Sequence, residues 1–125
     1  MTRRFFYQAL LLALAATLLL PARAARAEMS TRELFDTYDT GDAEMRALLE
    51  RVIDGNSNGV SWVNSYLDEF RGSTHQIYCP PDDFTTNGAG MIGMMRKAAV
   101  ADPRYYDLPY GATVMFAYIY VFPCP

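Results

Sequence analysis

Met45 and Val63, Leu49 and Leu67, and Val52 and Phe70 are three apolar pairs, each separated by 18 residues. That distance is about five turns of an α-helix, so each pair returns to one face of a helix that runs without a break. Between the two apolar runs stands Asp54-Gly55-Asn56-Ser57-Asn58-Gly59, which local propensity alone reads as a turn. A turn has no reason to preserve the register of the segments it joins. The phase therefore favours one long helix over a helix–turn–helix. Gly55 and Gly59 then lie one turn apart, so that another helix can approach closely.

The shorter segments are also helical in pattern. Ser30-Thr31-Arg32-Glu33 has capping-box spacing, and Leu34, Phe35 and Tyr38 share a face before Thr40-Gly41 ends the element. Asp42 can cap the long helix, and Gly72 closes it. Residues 71–83 form the longest irregular stretch. Asp83, Thr85 or Thr86 can cap a third helix with Met91, Ile92, Met95, Ala98 and Ala99 on one face and Asp102-Pro103 at its end. Gly88, Gly90 and Gly93 each cost that helix about 1 kcal/mol relative to alanine, so packing has to hold it. Its methionines are core filler. Pro109 suits a first helical position, and Tyr110 to Phe122 carries no charge. Its β-branched and aromatic residues favour a strand, while its length and lack of alternation allow a buried helix. A lone strand would have no partner, which tips the balance to helix. The expected fold is all-α, a compact bundle of about four to five helices with one long central helix and one disulfide.

Residues 1–27 have a different character. Arg3 and Arg4 precede an apolar run from Phe5 to Leu20, and Ala22-Arg23-Ala24 or Ala25-Arg26-Ala27 offers a signal peptidase site. The run is short for a membrane span of roughly 20 residues. The expectation is a signal peptide cleaved after Ala27, a domain over residues 28–125, a periplasmic location and no membrane attachment after cleavage. Arg3-Arg4 resembles a twin-arginine signal, but the leucine-rich run favours the Sec route. Cleavage would remove four of the eleven basic residues and none of the fourteen acidic ones, leaving seven against fourteen, a net charge of −7. An acidic domain of this size is repelled by nucleic acid and anionic lipid and attracted to basic partners.

Export would place Cys79 and Cys124 in an oxidising space, where two cysteines have one way to pair. The loop between them would contribute about 4 kcal/mol in the chain-entropy account. His75 is the only histidine. With both cysteines bonded it cannot complete a zinc site of three or four ligands, and its polar setting makes it a solvated side chain or a partner contact. Asp68-Glu69 and Asp82-Asp83 are adjacent pairs that do not converge on one bound atom. The three glycines of the third helix lack the context of a nucleotide fingerprint. The residues support neither an enzyme nor a cofactor.

One resemblance adds to this reading. Gly59-Val60-Ser61-Trp62-Val63-Asn64-Ser65-Tyr66-Leu67, then Tyr78-Cys79-Pro80-Pro81, then Asp102-Pro103 and an apolar segment ending Phe122-Pro123-Cys124-Pro125, resembles the Rap/Tai family of type VI secretion immunity proteins. The resemblance spans about Met45 to Pro125. It implies an all-helical fold, a bond from Cys79 to Cys124, a helix over the last apolar segment and, often, a homodimer. It also implies a non-catalytic protein that binds a peptidoglycan amidase in the periplasm and occludes its groove through exposed loops. By position, the partner-binding candidates are His75, Tyr78, Asp82, Asp83 and Phe84. The alternative expectation is a periplasmic acid-stress chaperone or an envelope domain of another role.

Overall fold

The computed structural model describes residues 28–125, which form four α-helices: α1 (Thr31–Thr40), α2 (Ala43–Arg71), α3 (Gly88–Ala101) and α4 (Tyr110–Val121). Short 3₁₀ turns follow α2 at Ser73–His75 and α3 at Pro103–Asp107. The export-signal reading of residues 1–27 lies outside the described residues. Among the described residues no helix is long and apolar enough to cross a membrane.

Each helix begins where its residues can satisfy the free amides of a first turn. Ser30 and Glu33 form the capping box of α1, with the Glu33 carboxylate accepting from the Ser30 amide at 2.8 Å. The Asp42 carboxylate caps α2 by accepting from the Met45 amide at 2.8 Å. Asn87, and not Asp83, Thr85 or Thr86, caps α3, its side-chain oxygen accepting from the Gly90 amide at 2.9 Å. The chain stays irregular through residues 83–86, so those three residues are too early to serve. Pro109 caps α4 from just outside it and offers no side-chain bond, and Glu28 supplies one instead by accepting from the Gly111 amide at 3.0 Å.

The helix α2 is continuous through Gly55–Gly59 for 29 residues. It ends at Gly72, whose φ of 91° is the one positive value among the described residues. The last apolar segment is a helix, and the described residues hold no strand for it to pair with. Among the described residues the single β-like contact is an antiparallel bridge between Ser30 and Pro109. It lets Thr31 donate to the Leu108 carbonyl at 2.8 Å and Tyr110 donate to Met29 at 3.1 Å, which pins the start of α4 to the start of α1. Beneath it the buried Thr31 hydroxyl donates to Thr113 Oγ1 at 2.7 Å.

The core lies where α3 packs between α2 and α4. It contains Leu34 and Phe35 of α1, Ile53 of α2, Met91, Ile92, Met95, Ala98 and Ala99 of α3, and Val114, Ala117 and Tyr118 of α4. The close approach of two helices is not at Gly55 or Gly59. A Cβ on either would meet nothing within 4 Å, whereas a Cβ on Gly88 would stand 2.0 Å from the Glu50 carbonyl oxygen. Gly88 therefore lets α3 seat its first turn on the backbone of α2. Of the three 18-residue pairs, Leu49 and Leu67 turn toward the bundle. Met45, Val63, Val52 and Phe70 face solvent.

Candidate functional site

Helix α2 carries a buried asparagine, Asn64, three turns from the core residue Ile53. A buried amide has to find partners, and Asn64 finds them in the chain that follows the helix. Its Oδ1 accepts from the amides of Ile77 at 2.7 Å and Tyr78 at 3.3 Å, and its Nδ2 donates to the Tyr78 carbonyl at 2.9 Å. One side chain thus supplies the hydrogen bonds that a neighbouring strand would have supplied, and the irregular segment lies in a defined path against α2.

Two further ties hold that path. The disulfide joins Cys79 to Cys124 with the Cα atoms 4.9 Å apart, and the Cys79 amide donates to the Phe122 carbonyl at 2.9 Å. The Tyr78 ring lies parallel on Tyr118 with centroids 4.3 Å apart. The Tyr78 hydroxyl donates to Ser61 Oγ at 3.1 Å, and the hydroxyls of Ser57 and Tyr118 are 2.6 Å apart. Burial pushes the Tyr78 phenol above its ordinary pKa; the Ser61 hydrogen bond opposes this and nearby Tyr118 adds to it. Phe84 then packs edge-on to Phe122, with centroids 4.4 Å apart.

Between this anchored segment and the outer turn of α2 lies an open groove of about 400 Å³. Its floor is Tyr78, Tyr118 and Phe84; its rim carries Asp68 and Glu69 from α2 and Asp82 from the loop. The site brings together three of the residues picked from the sequence: Tyr78, Asp82 and Phe84. Tyr78 is only 2% exposed, so it supports the groove from below and offers a partner little surface. His75 sits on the 3₁₀ turn, exposed, with Nδ1 3.4 Å from the Thr74 hydroxyl, and does not line the groove. Asp83 is exposed and does not line the groove.

Asn64, Ser61, Asp68, Glu69 and Tyr118 were not singled out as site residues from the sequence. Asn64 carried a usable signal, since it is the polar interruption on the inward side of α2 between Val60 and Leu67. Nothing in the chain order announces that Asp68 and Glu69 lie across a groove from Asp82.

The hydroxyls on the floor are bonded to one another, and no described His, Cys, Asp or Glu residues group in threes to hold a metal ion. No family model, curated protein or solved structure matches this chain.

Proposed function

We propose that this chain is a non-catalytic binding protein of the periplasm, an immunity protein that engages and blocks a peptidoglycan amidase effector of type VI secretion. The observation that carries the reading is the construction of the segment over residues 76–84. A loop without secondary structure is held by Asn64, by a disulfide and by an aromatic stack, and it sets Asp82 on the rim and Phe84 on the floor of an acidic groove. A loop fixed before binding loses little conformational entropy on docking, which is what an inhibitory element requires. Asp68, Glu69 and Asp82 on the rim suit a basic partner and would speed its encounter. The resemblance to the Rap/Tai family, whose members inhibit through loops, supports the same assignment. A disulfide supports a location outside the reducing cytosol.

The test is co-expression with a periplasmic amidase encoded beside this gene. Cells carrying the parent chain are expected to survive. Cells carrying Asp82→Lys with Glu69→Lys should lose at least ten-fold in survival, with the unfolding midpoint of the purified variant unchanged. Equal survival with parent and variant, or purified chain and amidase that form no complex, would overturn the proposal.

A further inference from the structure

Two arginines of this chain are held in the same way. The Arg96 guanidinium of α3 lies over the Phe35 ring at 4.5 Å, and its Nη2 donates to Asp39 at 2.7 Å. The Arg32 guanidinium of α1 lies over the Tyr106 ring at 4.9 Å, and its Nη2 donates to Asp107 at 3.3 Å. In each case ring and carboxylate belong to one short segment, and the arginine comes from another element. The ring attracts the flat cation, and the carboxylate accepts from its N–H donors.

The groove beside α2 has the same two parts on one segment, Phe84 with Asp82. Phe84 is half-buried and fixed in place by edge contacts with Phe122 and Tyr118, at centroid distances of 4.4 and 6.4 Å. Asp68 and Glu69 stand on the opposite wall. None of the three carboxylates is used inside the chain, since no described residue forms a hydrogen bond or ion pair with them. Arg71 lies about one turn beyond Asp68 and does not pair with it. Among the described residues no Arg, Lys or His lines the groove. Carboxylates on two walls of one concave site repel each other, and a cation between them relieves that repulsion.

A smaller recess of about 200 Å³ adjoins the groove and shares Ser61, Phe84 and Tyr118 with it. Its remaining lining is neutral and polar: Ser57, Asn58, Thr85 and Thr86. Groove and recess together follow α2 from Glu69 back to Ser57, roughly 18 Å, the length of about five extended residues. The trough is therefore acidic at one end and rich in hydroxyl and amide groups at the other.

We infer that this trough is a socket for an arginine side chain carried by an extended segment of a partner protein. The guanidinium lies against Phe84 between Asp82 and the two carboxylates of α2, and the backbone beside it runs into the neutral recess. Arginine suits the socket better than lysine. Its planar fork can donate to carboxylates on both walls while lying on a ring, whereas an ammonium is compact and strongly hydrated. The inference rests on the groove being the partner-binding surface and adds which side chain of the partner it recognises.

The probe is the pentapeptide Gly-Ser-Arg-Ser-Gly, acetylated and amidated at its ends, titrated into isotope-labelled protein at low salt. Backbone amide signals of Asp68, Glu69 and residues 82–86 should move. The lysine counterpart should bind at least about three-fold more weakly, and the citrulline counterpart, which has the shape without the charge, should not bind. Asp82→Asn should weaken the arginine peptide by about ten-fold. Asp83→Asn, the exposed neighbour that does not line the groove, should leave binding unchanged. Both side chains are exposed, so both variants should keep the parent's circular dichroism. Three results overturn the socket: no signal moving at about 10 mM arginine peptide, equal binding of the lysine peptide, or Asp83→Asn weakening binding as much as Asp82→Asn. The amidase reading fails separately. A chain that binds the amidase but not the peptide loses the socket alone, and one that binds the peptide but no amidase loses that reading alone.

Discussion

The side-chain amide of Asn64 is bonded at both ends to the backbone of Tyr78, donating to its carbonyl at 2.9 Å and accepting from its amide at 3.3 Å. A helix residue and a loop residue 14 positions apart are thereby locked in register, with the Ile77 amide as a third partner at 2.7 Å. Asn64→Ala leaves two donors and one acceptor without partners in a buried setting, a loss of about 3 kcal/mol. Asn64→Asp keeps the two accepting bonds but sets a carboxylate against the Tyr78 carbonyl. Chemical denaturation should place both below the parent, with alanine exposing residues 76–84 to proteolysis first. A midpoint unchanged in Asn64→Ala would show that the loop is held by the disulfide alone.

Reduction of Cys79–Cys124 frees a loop of 45 residues in the unfolded chain. The chain-entropy account puts the loss at about 4 kcal/mol, a large part of what a domain of this size has. The double variant Cys79→Ser, Cys124→Ser should therefore unfold at markedly lower denaturant than the oxidised parent. It should match the reduced parent, and a gap between those two would mean that serine disturbs the site for a reason other than the missing bond.

The glycines of α3 separate into two kinds. Gly88→Ala forces a methyl group to within 2.0 Å of the Glu50 carbonyl oxygen, a backbone atom that cannot turn aside. Helix α3 must shift off α2, at a cost of about 1–3 kcal/mol. Gly93→Ala meets nothing within 4 Å and should raise stability by up to about 1 kcal/mol through helix propensity. Thermal melts of the two variants should move in opposite directions, and a shared direction would contradict the seating of α3 on Glu50.

Alkaline stability should depend on Tyr78 and Tyr38. Burial raises the Tyr78 phenol, and the hydrogen bond from the Tyr38 hydroxyl to Glu50 Oε1 at 2.6 Å raises that of Tyr38. A group that holds its proton more tightly when folded contributes stability fully below its unfolded pKa, near 10 for tyrosine. That contribution is lost as pH rises through the higher folded value. Denaturant midpoints from about pH 8 to pH 11 should fall less steeply in Tyr78→Phe than in the parent. Equal slopes would mean that the Tyr78 proton is not linked to folding.

The helices of this protein, their order and most of their ends are local properties, and the chain declares them. Ser30 with Glu33, Asp42, Gly72 and Asp102 stop or start helices through bonds that reach only a few residues. The 18-residue register likewise outweighs the turn propensity of Asp54 to Gly59, because periodicity sums over many positions and a loop signal covers six. The two cysteines had a single pairing to make. Periodicity does not say which of two apolar stripes on one helix turns inward. That depends on what α3 and α4 offer, and they chose Leu49, Ile53 and Asn64, leaving Val52, Trp62 and Phe70 outside. The groove was hidden for the same reason. Asp68 and Glu69 face Asp82 only because Asn64, the disulfide and the Tyr78–Tyr118 stack fold the chain back on α2, and those contacts join residues that lie far apart in sequence.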